Sequence, residues 1–198
     1  MRRGRIERST KETQIELDLV LDGRGRFRGK TGIPFLDHMF DHIARHGMVD
    51  LTVKAAGDLQ VDQHHLVEDL GICLGDAITR AVGTKVGVVR YGEATVPMDE
   101  ALVQCVLDLS GRPYLAFDLD LRRRKIRGKG GDFDTELVEE FFRALSNHAA
   151  ATMHIRQLAG RNTHHIVEAA FKAFGRALDQ ATRIDPRVAD VPSTKGSL

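Results

Sequence analysis

Cysteine is scarce in this chain: two in 198 residues, Cys73 and Cys105, each inside an apolar pattern. Two isolated thiols cannot build a disulfide framework, so both read as reduced core residues and cytoplasmic residence is the expectation. An excess of one charge is missing too. The formal net charge is +1, which leaves no global field drawing the protein to nucleic acid or to a membrane surface. No apolar run reaches the length of a membrane span. The opening MRRGRIERSTKE is basic, but no apolar stretch follows it, so it does not read as a signal peptide. Tryptophan is absent and aromatics make up 6%. None interrupts the run 122-RRRKIRGKGG-131, where six of the eight residues from Arg122 to Lys129 are basic. Without aromatic platforms for bases, that run reads as a solvated β-to-α connection and not as a nucleic-acid-binding surface. The remaining balance, 42% hydrophobic and 29% charged, is that of a globular protein with a sizeable core.

Histidine is plentiful by contrast. Seven of the nine fall in three short clusters: His38, His42 and His46; His64 and His65; His164 and His165. The last two clusters are one motif written twice, 64-HHLVE-68 and 164-HHIVE-168. Residues three and four apart share a helix face, while neighbours point about 100° apart. Glu68 can therefore join His64 or His65, and the other histidine points elsewhere. The same holds for Glu168 with His164 and His165. One His–Glu pair per helix suits a metal ion, and the leftover histidine could reach a second ion held by the other helix. A lone His-x-x-Glu is usually a solvated pair; the repeat in register favours ligation. Imidazole and carboxylate donors suit zinc, manganese, iron or nickel, and the absence of cysteine excludes a thiolate site. Roughly four to six N/O donors per ion favour an octahedral metal such as Mn²⁺.

The rest of the chain carries the same repetition. Residues 13–23 alternate as a strand through Ile15, Leu17, Leu19 and Leu21, and 25–30 is a short strand expected to pair with it. Residues 34–47 form a helix between Pro34 and Gly47 that carries His38, His42 and His46 on one face. A strand at 48–58 and a helix at 62–83, with Asp62 as its N-cap, complete the first half. The second half runs in the same order: strands at 101–111 and 114–121, a helix at 134–149, a strand at 151–160 and a helix at 163–182. The class is α+β, internally duplicated as two β-β-α-β-α units, 1–92 and 93–198, that form one compact whole. The repeat stays in step except where 122–131 is inserted. It sets His38 opposite Glu140 and His46 opposite His148, so a ligand-competent residue recurs at the His38 position. His42 faces Ala144 and reads as a surface residue.

The strings 32-GIPFLDHM-39, 62-DQHHLVED-69, 110-SGRPYL-115, 154-HIRQLAGRNTHHIVEAAFKAFGRAL-178 and 192-PSTKG-196 resemble those of the imidazoleglycerol-phosphate dehydratase family of histidine biosynthesis. The resemblance runs from about residue 5 to residue 196. It implies two four-stranded sheets packed with helices, a unit related to the second domain of the fifth small-subunit ribosomal protein. It also implies a manganese enzyme of 24 subunits with active sites between subunits. Two Mn²⁺ per active site would be held by His38, His64, His65, Glu68, His164, His165 and Glu168, with Glu140 where several relatives carry histidine. Glu12, Arg90, Arg112, Lys172, Ser193 and Lys195 would surround the substrate. Glu12, whose repeat counterpart is Glu100, would be the main acid/base, with His46 assisting. The implied reaction is dehydration of D-erythro-imidazole glycerol phosphate to imidazole acetol phosphate. Two rival readings differ in class or chemistry: a nucleic-acid-binding protein using 122–131, and a dinuclear metallohydrolase.

Overall fold

The protein is described here by a computed structural model covering residues 1–196. The first half contains β1 (Arg3–Ser9), β2 (Thr13–Val20), β3 (Arg26–Lys30), α1 (Pro34–Gly47), β4 (Asp50–Gly57) and α2 (His64–Val82). The second contains β5 (Tyr91–Met98), β6 (Ala101–Asp108), β7 (Tyr114–Asp118), β8 (Lys125–Ile126), β9 (Phe133–Asp134), α3 (Glu136–His148), β10 (Thr152–Ala159) and α4 (Thr163–Thr182). Sheet one has the order β1-β2-β4-β3 and sheet two the order β5-β6-β10-β7. The duplication visible in the sequence is therefore a duplication of topology.

Strand alternation decides which face is buried. Ile15, Leu17 and Leu19 point inward from β2, while Gln14 and Glu16 point to solvent. Val103, Cys105 and Leu107 do the same for β6. α2 packs on sheet one and α4 on sheet two; α1 meets α4, and α2 meets α3, across the middle. The helices thus lie between the two sheets, and Phe40, Phe141, Phe142, Phe171 and Phe174 fill the space between them. Each such side chain contributes about 1.5–3 kcal/mol by leaving water.

Three expectations need correction. Each half has one more leading strand than the pattern suggested, β1 and β5. Both hide their alternation behind a glycine at an inward position, Gly4 and Gly92. A Cβ at Gly4 would overlap the Ala77 carbonyl of α2, and one at Gly92 the Ala177 carbonyl of α4. The small residue that weakens the strand signal is what lets sheet and helix approach. Secondly, β3 and β7 do not pair with the strands before them. They join β4 and β10 in parallel. Thirdly, the halves also fall out of step outside 122–131. Residues 58–63 connect β4 to α2, but only 160–162 connect β10 to α4. The expected division after residue 92 falls inside β5.

Residues 122–131 are not a plain solvated connection. Lys125 and Ile126 pair with Phe133 and Asp134 as a two-stranded ribbon, and Phe133 is buried against Phe35. The ribbon lies between the starts of α2 and α4. Lys125 and Asp132 line cavities beside His64 on one side and His164 on the other.

Candidate metal and substrate site

The starts of α2 and α4 both border the 122–134 segment, where Gln63 donates to the Asp132 carbonyl and the Arg123 amide to the Thr163 hydroxyl, so both His-His-x-Val-Glu motifs are presented beside it. In each motif the first histidine turns to the glutamate. His164 Nε2 is 3.3 Å from Glu168 Oε2, and His64 Nε2 is 3.9 Å from Glu68 Oε2. The second histidine turns away, the adjacent rings lying at 83° in α2 and 88° in α4. His65 Nδ1 meets Asp58 Oδ2 at 3.0 Å, and His165 Nδ1 meets Glu100 Oε2 at 2.7 Å.

α1 brings two more imidazoles to the α4 motif. His38 Nε2 is 3.4 Å from Glu168 Oε2, His42 Nε2 is 3.3 Å from Glu168 Oε1, and the two histidines approach to 3.1 Å. One donor atom from each of His38, His42 and Glu168 falls within 4.8 Å of the others. Among the described residues this is the one such three-ligand group. Borderline N donors and a hard carboxylate in that volume fit a divalent first-row cation. His42, expected at the surface, is mostly buried and belongs to this cluster. Burial pushes its pKa down to about 4, so the ring is neutral at pH 7 with a lone pair free. Burial also lowers His46, which stacks on His42 at 5.7 Å, and Lys172 and Arg176 add to the effect.

Glu168 is buried, and burial by itself would raise its pKa. The Lys172 ammonium, 2.5 Å away, outweighs this together with the charges of His42 and His38, and the carboxyl sits at about 2. Lys172 is thus tied to the metal-competent carboxylate. The α2 side is looser. Glu140 lies on α3, 3.9 Å from Arg143, and the chain does not gather it into a three-ligand group with His64 and Glu68. His148, the counterpart of His46, is held 3.0 Å from Asp76.

Glu12 sits on the β1–β2 turn, which a buried network pins to α2: Arg8 reaches Asp69 at 2.9 Å, and the Thr13 hydroxyl donates to the same carboxylate. The Glu12 carboxylate is exposed and 3.9 Å from His65 Nδ1, the position that Asp58 has taken. Its counterpart Glu100 is fully committed. It accepts from the Arg161 and Asn162 amides at 3.3 and 2.8 Å as well as facing His165, and that His165 contact leads in lowering its pKa to about 2.

Arg90, Arg112, Ser193 and Lys195 come together around an open cavity of about 660 Å³, lined on one side by residues 190–195. Arg90 is not a free cation there. Its Nε and Nη2 bond Asp108 at 2.7 and 3.1 Å, and its Nη1 donates to the Pro192 carbonyl at 2.8 Å. It anchors residues 190–195, while Arg112, Ser193 and Lys195 line the rest of the cavity. Sequence reasoning passed over Asp58 and Asp108. The acidic residue two before the Gln60–Val61 turn was a signal for the first; nothing local marked the second.

Imidazole–carboxylate clusters at one end of a duplicated α+β fold and a cationic cavity at the other define a candidate enzyme site, and the relatives of the chain place it among the hydro-lyases. The sequence profile of the imidazoleglycerol-phosphate dehydratase family matches residues 31–178. The imidazoleglycerol-phosphate dehydratase of Moorella thermoacetica is 58% identical over 193 residues, covering 98% of this chain and 96% of that one. That of Jannaschia sp. is 55% identical over the full length of both. Crystal structures of the Pyrococcus furiosus and Staphylococcus aureus enzymes superpose with TM-scores of 0.82 and 0.81 at 40% and 39% identity. They cover 98% and 92% of this chain and 100% and 99% of theirs. The chain belongs to the imidazoleglycerol-phosphate dehydratase family of histidine biosynthesis.

Proposed function

We propose that the protein is a manganese-dependent dehydratase that converts D-erythro-imidazole glycerol phosphate to imidazole acetol phosphate. The observation that carries this reading is the convergence of His38, His42, His164 and Glu168 at one helix contact, repeated in weaker form by His64 and Glu68. These residues, with His65, His165 and Glu140, would hold two Mn²⁺ per active site. Bound there, the ions would act as Lewis acids toward the substrate imidazole and as a template for it. The chain supplies the rest. Arg112, Ser193 and Lys195 bind the phosphate dianion. Glu12, exposed beside His65 on a turn that Asp69 holds through Arg8 and Thr13, moves the proton at the reacting carbon. His46 lies beside the cluster, neutral and able to assist.

Distances favour a site completed by a second copy of the chain. β5 runs from Tyr91 at the phosphate cavity to Met98 beside Glu100 and His165, eight residues or about 25 Å. α4 gives a second ruler. His164 at its start and Ala181, whose carbonyl binds the Arg90 amide, are about 25 Å apart along the helix. A substrate of one ring, three carbons and a phosphate cannot span that gap. Self-association, to 24 subunits as in the family, would bring one chain's phosphate cavity to another's metal residues. No described helix is long and apolar enough to cross a membrane, and cytoplasmic residence remains the expectation from composition. Metal analysis of the purified protein, combined with turnover of imidazole glycerol phosphate, tests the reading. Hydrolysis of simple phosphate esters with no dehydration would instead support a dinuclear hydrolase.

A further inference from the structure

We propose that Glu100 is a positioning residue that locks His165 in the Nδ1–H tautomer and so keeps its Nε2 lone pair aimed outward for a divalent cation. The inference rests on the metal reading above. Three observations on the β5–β6 turn and the start of α4 carry it.

The first is the direction of the hydrogen bond. An ionised carboxylate only accepts, so at 2.7 Å from Glu100 Oε2 the His165 Nδ1 must carry the proton. The second is Asn162. Its Oδ1 accepts from the His164 amide at 3.0 Å, as the helix N-cap, which leaves its amide hydrogens facing His165 Nε2 at 3.3 Å. A donor aimed at Nε2 requires a lone pair there. Two independent contacts therefore specify the same tautomer, and the Asp99 carboxylate 4.0 Å from Nε2 adds negative potential where a cation would sit.

The third is how Glu100 itself is held. Its Oε1 accepts from two backbone amides, Arg161 and Asn162, so its carboxylate plane cannot rotate freely. This makes the isosteric amide a damaging substitution. In Glu100→Gln the carbonyl oxygen must face those two donors, which turns the side-chain NH₂ toward His165 Nδ1. The imidazole then has to accept at Nδ1 and carry its proton on Nε2, the nitrogen that would bind metal. Glu100→Ala removes the constraint without imposing the wrong tautomer.

The first half performs the same task with a different residue. Asp58, in the longer connection before α2, takes His65 Nδ1 at 3.0 Å. The glutamate at the turn, Glu12, is thereby displaced to 3.9 Å and released from orienting duty. The two halves thus differ at the turn glutamate: Glu100 orients a ligand histidine, and Glu12 is free for proton transfer.

The test uses the full-length protein with Mn²⁺ as probe. Wild type, Glu100→Gln and Glu100→Ala are compared by titration calorimetry for Mn²⁺ affinity. ¹⁵N NMR of the metal-free histidines reads the tautomer, and thermal melting checks the fold. The expected result is a tautomer switch at His165 in Glu100→Gln alone. Its Mn²⁺ affinity should fall roughly 10–100-fold, further than in Glu100→Ala, with both variants still folded and melting cooperatively above the titration temperature. A purely structural role predicts the reverse order, with alanine worse than glutamine, and that order overturns the proposal. So does an Nε2–H tautomer in the metal-free wild type. If the wild type binds no Mn²⁺ while its tautomer is as assigned, the metal reading fails and the orienting contact stands.

Discussion

His42 Nε2 stands 3.3 Å from Glu168 Oε1, facing it from α1 across the helix contact. Both groups titrate below their ordinary values: burial takes His42 from 6.5 to about 4, and Glu168 falls from 4.5 to about 2 against the pull of burial, through Lys172 and its neighbours. A group whose folded pKa is depressed is protonated first in the unfolded chain. Its contribution is complete above the unfolded pKa and is lost as pH falls toward the folded one. Metal-free protein should therefore melt at steadily lower temperature from pH 6.5 to 4, where His42 dominates, and continue down toward pH 2 as Glu168 follows. His42→Gln should flatten the upper part of that slope in calorimetric scans. Parallel slopes for the two proteins would remove His42 as the cause.

Glu12 has no hydrogen-bond acceptor duty comparable to that of Glu100, and its turn is fixed by the Arg8–Asp69–Thr13 network. Glu12→Gln should keep shape, Mn²⁺ content and KM while kcat falls by roughly 10²–10⁴, the range for one general acid/base group. Loss of kcat and kcat/KM together marks an interaction made in the transition state alone. If Glu12 merely paired with surface cations such as Lys11 or Arg8, turnover would stay near wild type and His46 would have to take the role.

Arg90 and Lys195 border one cavity but should fail differently. Lys195 is exposed and offers its charge to an anion, so Lys195→Ala should raise KM and leave residues 190–195 in place. Arg90 bonds Asp108 and the Pro192 carbonyl. Arg90→Ala should raise KM and also expose residues 190–196 to proteolysis. Cutting at equal rates in the two variants would contradict the anchoring role.

Much of this was legible because repetition carries its own control. The His-His-x-Val-Glu spacing put one histidine of each pair on the face of the glutamate without saying which, and the structure pairs the first, His164, with Glu168. The site beyond the motif was not legible, for physical reasons. His42 looked like a surface residue because its repeat partner is Ala144, yet α1 packs on α4, a contact that no local pattern encodes. The role of Asp58 depends on a loop two residues out of register with its counterpart. Strands β3 and β7 pair in parallel with strands far along the chain, where proximity in sequence suggests a hairpin.

Gly4 and Gly92 turn that limit into a measurement. Their strands went unexpected from the sequence, and both glycines sit where a strand meets a helix carbonyl, Ala77 and Ala177. Gly92→Val should gain strand propensity and still destabilise, by about 1–3 kcal/mol or more, because overpacking must push α4 off sheet two. Denaturant melts settle it. A variant as stable as wild type would show that the contact is slack.

The last prediction concerns where one active site ends. Arg112 and Lys195 lie at one end of sheet two, and Glu100 and His165 at the other, roughly 25 Å away along β5. If a single chain held a whole site, each inactivating substitution would damage its own site irreparably, whatever its neighbours carried. If the site forms between copies, the two defects are separable. Lys195→Ala weakens every phosphate cavity and His165→Ala spoils every metal half, so at substrate well below the wild-type KM each homo-oligomer should turn over far more slowly than wild type. Unfolding the two together and reassembling them with Mn²⁺ should restore turnover, since some sites then join an intact cavity from one chain to an intact metal half from another. Mixing without dissociation should restore nothing, which controls for simple addition. Chelation should shrink the wild-type particle in light scattering if metal bridges the copies. A reassembled mixture no more active than its parents would confine the chemistry to a single chain and require a different path from phosphate cavity to metal.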